Sequence, residues 1–104
     1  MSPSAGSPPS GPVRVDRIAR DVVVHGAVQG VFFRDSCRSA AQAAAVDGWV
    51  TNQPDGTVRA RFEGPVGAVD QMVSWAHRGP SRARIERVEV SDAEPEGHSG
   101  FQVR

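Results

Sequence analysis

The sequence has a single cysteine, Cys37, in 104 residues. That excludes an internal disulfide and any cysteine-rich zinc cluster, and it suits a reducing compartment, so a cytoplasmic protein is expected. Net charge is lacking too, since twelve basic side chains balance twelve acidic ones. A neutral chain has no overall field to draw it onto nucleic acid or a membrane surface, so neither partner is expected, and any bound anion must be small and held locally. No apolar run reaches the roughly 20 residues of a membrane span. The opening residues, MSPSAGSPPSGP, have neither the basic start nor the apolar core of a secretory signal. His25, His77 and His98 are scattered without ligand spacing, so no metal is expected.

What is present fits one globular domain, with 38% hydrophobic and 23% charged residues. Residues 1–17 are rich in Ser, Pro and Gly and too poor in apolar surface to order themselves, so they read as a flexible tail before a domain at 18–104. Val22, Val23 and Val24 read as a buried strand. Phe33, Cys37, Ala40, Ala41, Ala44 and Ala45 then recur at helical spacing, with Gly48 as the helix stop. Trp49 begins a second strand, and Gln53-Pro54-Asp55-Gly56 is a hairpin turn. Beyond it Val58, Ala60 and Phe62 alternate with Arg59, Arg61 and Glu63, the pattern of a strand with one wet face. A second helix opens at Gly64-Pro65, closes at Gly79-Pro80, and carries the apolar stripe Val69, Met72, Val73 and Ala76. A strand at about 84–90 turns Val88 and Val90 inward and puts Ile85 out of phase, which calls for a bulge or a late strand start. Phe101 and Val103 suit a short final edge strand. The order predicts an α+β, ferredoxin-like βαββαβ sandwich, with two helices on one face of an antiparallel sheet and water on the other.

Residues 26–34, GAVQGVFFR, lie where the first strand gives way to the first helix. Glycine lets successive backbone N–H groups turn toward a ligand, and the helix start adds unpaired donors and a positive dipole end. Arg34, in the first helical turn, adds a planar fork for a phosphoryl or carboxylate group. In this topology the first and third strands are central and the second runs at the edge, which brings Asn52 near the loop. An asparagine can both donate and accept, so it suits holding a water rather than deprotonating it. The expected site therefore has the backbone of Gly26, Ala27, Val28, Gln29, Gly30 and Val31 and the guanidinium of Arg34 on a phosphoryl group. Asn52 holds a water in line behind phosphorus. Cys37, on the apolar helix stripe, reads as core rather than nucleophile.

GAVQGVFFR followed by GWVTNQPDGTVRARFEG closely resembles the acylphosphatase signature, in order and in spacing. The resemblance runs from about Val22 to the final FQVR. It implies a ferredoxin-like enzyme that hydrolyses the carboxyl–phosphate bond of acyl phosphates to a carboxylate and inorganic phosphate, without cofactor, metal or covalent intermediate. Arg34 matches the family's phosphate-binding arginine, Asn52 the asparagine that positions water, and 26–31 the backbone cradle.

Two other classes compete with an enzyme. RNA-recognition domains share this sandwich but need stacking aromatics on both central strands, and here the third strand offers only Phe62 and the first none. A non-catalytic anion sensor would keep the cradle without turnover. Similar domains open hydrogenase-maturation proteins that handle carbamoyl phosphate; their cysteine-rich zinc segments are not in these 104 residues, so a free-standing monomeric enzyme is the expectation.

Overall fold

The computed structural model describes residues 17–104, so the expected tail lies outside the described residues except for Arg17, which opens the first strand. The elements are β1 (Arg17–Ala27), α1 (Phe33–Ala44), β2 (Asp47–Asn52), β3 (Val58–Pro65), α2 (Val66–Arg78), β4 (Arg84–Ala93) and β5 (Phe101–Val103). The five strands form one sheet in the order β4-β1-β3-β2-β5, with β1 and β3 central as expected. Both helices pack on one face. The α+β ferredoxin-like sandwich is thus the observed fold.

The sheet is mixed rather than wholly antiparallel, because β5 runs parallel to β2. The outermost position expected for β2 therefore belongs to β5. Two features draw β5 in: Phe101 is buried and stacks on Phe62 with ring centroids 6.0 Å apart, and the Gly48 N–H donates to the Gly100 carbonyl at 2.9 Å. Neither depends on the strand's own three residues being regular, which is why local pattern could not show its direction.

The core fills the space between sheet and helices with Val22, Val24, Val50, Val58, Ala60 and Phe62 from strands, and Phe33, Cys37, Ala41, Val69, Met72 and Ala76 from helices. Phe33 meets Trp75 edge-on at 5.2 Å and joins α1 to α2. Burial pushes the Cys37 thiol up, consistent with an inert core residue. Helix α1 ends earlier than expected. Ala45 is exposed and left-handed (φ 58), its N–H reaching back to the Gln42 carbonyl, and Gly48 lies inside β2 rather than at the helix stop. Pro65 is the N-cap of α2, one position before the first helical residue.

In β4 the register against β1 shifts between His25 and Gly26, so Glu86 has no partner. That bulge brings Ile85 and Val88 to the same side, both packed against the core, and of the two expectations for the out-of-phase Ile85 it decides for the bulge over a late strand start. Val90, however, is exposed on this edge strand, not turned into the core as expected.

The outer face of the sheet is not the wet surface that the alternation of β3 suggests. Arg61 and Glu63 are buried there, not wet, because residues 94–98 cross over them. The Glu63 carboxylate accepts the backbone N–H groups of Glu96, Gly97 and His98 at 2.8, 3.1 and 3.2 Å. Arg61 donates to Asp21 at 2.8 Å and to the Glu94 carbonyl at 3.3 Å, and Arg17 pairs with Asp47 at 2.9 Å. A buried carboxylate is tolerable only when so satisfied. Glu63, Glu96 and His98 sit close enough to share a cation, but the oxygens of Glu63 are already taken by N–H groups and Arg17 and Arg61 lie within 4 Å of it.

Candidate active site

The sheet order places the β1–α1 loop beside the end of β2. Residues 28–32 leave β1 and turn into α1, with Gly30 at φ 75 and Phe32 at φ 61. Gly30 adopts that backbone freely, for it has no Cβ to clash. Phe32 stands at the N-cap, a position usually filled by Ser, Thr, Asp or Asn, and no side chain caps the first turn of α1. The first-turn N–H groups thus have no side-chain acceptor of their own, and they face the loop with the positive end of the helix dipole.

A cleft of about 310 Å³ opens at this junction, lined by Val28, Gly30, Phe32, Phe33, Arg34, Asp35, Asn52 and Val103. Of the residues expected in the site, Val28, Gly30, Arg34 and Asn52 line it together. Gly26 and Ala27 still belong to β1, paired with Ile85 and Arg84 of β4, and do not line it. A Cβ on Gly26 would lie 2.0 Å from the Arg84 carbonyl oxygen, so close strand approach accounts for that glycine. Val31 packs against the core, and the Gln29 side chain turns to the opposite hairpin.

Gln29 Nε2 donates to the carbonyls of Gln53 and Thr57 at 2.8 and 2.9 Å. Both acceptors belong to the turn that follows Asn52. The turn is itself braced, with the Gln53 N–H on the Thr57 carbonyl at 2.8 Å and the Asp55 carboxylate accepting the Thr57 hydroxyl and N–H. Those bonds from Thr57 hold the Asp55 carboxyl below its usual range. Asp55-Gly56 thus serves the hairpin alone.

Arg34 Nη1 donates to the backbone carbonyl of Arg104 at 3.1 Å. The Arg104 N–H in turn donates to the Val50 carbonyl at 2.8 Å, continuing the β2–β5 ladder. Its guanidinium stacks over Trp49 at 5.1 Å, with that of Arg59 at 5.4 Å on the same ring. One edge of the Arg34 guanidinium fork is therefore held by the end of the sheet.

Sequence reasoning missed Phe32, Phe33, Asp35 and Val103 as cleft residues. Phe32 did carry a signal, being an aromatic one position ahead of the apolar stripe of α1 and out of phase with it. Val103 carried none, since its place depends on the direction of β5.

Residues 20–103 match the family described as acylphosphatase. The chain belongs to the acylphosphatase family of enzymes. It is similar to an acylphosphatase of Rubrobacter xylanophilus, 56% identical over 84 residues that cover 80% of this chain and 76% of that one. Among solved structures, an acylphosphatase from Coxiella burnetii superposes with a TM-score of 0.82 at 34% identity, covering 86% of this chain and 94% of its own. The acylphosphatase from Bacillus subtilis gives 0.81 at 31% identity, over 84% of this chain and 98% of its own.

Proposed function

We propose that the cleft hydrolyses acyl phosphates to a carboxylate and inorganic phosphate. The observation that carries this reading is the meeting of Arg34, from α1, and Asn52, from β2, on one cleft beside a glycine loop and an uncapped helix start. The phosphoryl group sits on the loop and first-turn N–H groups, with the guanidinium of Arg34 across its equatorial oxygens. Asn52 holds a water on the face of phosphorus opposite the leaving oxygen. The water oxygen forms a bond to phosphorus as the bond to the carboxylate oxygen breaks, and both of the water's protons end on the phosphate, which leaves as dihydrogen phosphate beside an unprotonated carboxylate.

No general acid is required, because a carboxylate leaves without protonation. The transition state is loose, with charge on the equatorial oxygens, so positioning and fixed positive charge supply most of the rate. A guanidinium and oriented N–H groups provide both. The reading takes the protein to work as a monomer in the cytoplasm on small acyl phosphates. Its neutral charge supports the absence of a nucleic-acid or membrane partner, and no described helix is long and apolar enough to cross a membrane.

Hydrolysis of benzoyl phosphate and acetyl phosphate by the purified protein, in buffer containing a chelator, tests this directly. Turnover above the uncatalysed rate is expected. A rate equal to that of buffer alone overturns the enzyme reading and leaves an anion-binding domain.

A further inference from the structure

We propose that Phe32 determines acyl specificity in this cleft. Its ring is the apolar wall on which the carbon skeleton of the acyl group rests, and it selects aromatic and other bulky apolar acyl phosphates over acetyl phosphate. This rests on the reading of the cleft as an acyl phosphate site.

The lining divides by chemistry. Gly30, Arg34, Asp35 and Asn52 make a polar part, whereas Val28, Phe32, Phe33 and Val103 make an apolar one. An acyl phosphate is divided in the same way, with a dianionic phosphoryl end and a carbon end. Val28 and Phe33 are almost wholly buried, at 1% and 3% exposure, and Val103 is partly so. Their surfaces are spent on the core. Phe32 is 70% exposed, the most exposed large hydrophobic side chain among the described residues.

A lone exposed apolar residue ordinarily needs no explanation. Phe32 differs because its backbone is also unfavourable, at φ 61 and ψ 27, a left-handed conformation that costs a residue with a Cβ about 1–2 kcal/mol. Glycine would hold the same turn without strain, and a short polar residue would cap the helix. The phenyl ring provides neither service and is not compensated by burial. Strain without packing gain, located at a cleft, points to the ligand as what the ring contacts. A cleft of about 310 Å³ lies at the small end of ligand sites, large enough for one ring against the wall.

The contact lies away from the reacting bonds, so it is made equally in the ground and transition states and appears in KM rather than kcat. The test compares benzoyl phosphate with acetyl phosphate for the unaltered protein, Phe32→Gly and Phe32→Tyr. Glycine keeps the left-handed turn and removes the ring, while tyrosine keeps the ring. Phe32→Gly is expected to lower the benzoyl-to-acetyl ratio of kcat/KM about three- to tenfold, through KM, as loss of an aromatic contact does. Phe32→Tyr should retain the ratio, and inhibition by inorganic phosphate, which has no acyl group, should match the unaltered protein in both variants. Turnover with an unchanged ratio in Phe32→Gly, or an equal loss on both substrates, overturns the inference alone. Absence of turnover on both substrates by the unaltered protein overturns the underlying reading and the inference with it.

Discussion

Gln29 reaches across from the β1–α1 loop and donates both hydrogens of its amide to the β2–β3 turn, to Gln53 at 2.8 Å and Thr57 at 2.9 Å. One side chain thereby fixes the spacing between the glycine loop and Asn52, the residue before Gln53. Replacing the amide by a carboxylate removes both donors and sets a negative charge against two carbonyl oxygens. Gln29→Glu is expected to cost about 1–3 kcal/mol in urea unfolding and to lower kcat roughly tenfold or more, since small displacements of reacting groups are costly. Unchanged stability and kcat would show that the loop and turn hold their spacing without it.

Arg34 is anchored at one nitrogen by the Arg104 carbonyl, and in the proposed mechanism the rest of its fork takes the phosphoryl group. A lysine supplies charge but no planar fork, and it cannot serve anchor and phosphoryl group together in the same geometry. Arg34→Lys is expected to lower kcat/KM at least about a hundredfold and to weaken inhibition by inorganic phosphate. Steady-state kinetics with phosphate as inhibitor checks both effects, and near-normal values in the variant would remove the bidentate role.

Glu63 ties residues 96–98 to the outer face of the sheet through three N–H groups while Arg17 and Arg61 stand beside it. An amide in its place turns its NH2 toward donors and leaves two arginines short of countercharge. Glu63→Gln should therefore lose about 3 kcal/mol or more, as when one partner of a buried ion pair is removed. Urea denaturation measures this, and a loss under about 1 kcal/mol would mean that the crossing segment is held by other contacts.

Asp21 provides a pH signature of the same face. Burial pushes its carboxyl up, but hydrogen bonds and charge from Arg61 and then Arg59 outweigh burial and hold it below the ordinary 3.8. A folded value below the unfolded one stabilises fully above the unfolded value, and that stability is lost as pH falls through the folded value. Stability should thus hold from neutrality down to about pH 4 and drop below it. Asp21→Asn should start less stable and show a shallower acid limb in urea midpoints taken against pH. An identical acid limb would assign the loss to other carboxylates.

How much of this was legible in the sequence depended on range. The helices, the central strands and the break in phase at Ile85 follow from period and turn residues within about ten positions of one another. Arg34, Gly30 and Asn52 could be placed together once the strand order was inferred. The direction of β5, and with it Val103 and the Arg104 anchor, rests on Phe101 stacking on Phe62 far away in the chain. Burial of Arg61 and Glu63 was hidden for a related reason. Alternation showed that they face away from the core, but only the path of residues 94–98 covers them. Gly26 illustrates the converse, a glycine beside the loop whose need arises from the Arg84 carbonyl.

The central claim is that the cleft turns over acyl phosphate because Asn52 places a water behind a phosphoryl group held by others. Asn52→Ala separates those roles. Measured with benzoyl phosphate, and with inorganic phosphate as competitive inhibitor, kcat should fall roughly a hundred- to a thousandfold while phosphate inhibition stays close to that of the unaltered protein. Full kcat in Asn52→Ala would contradict the account.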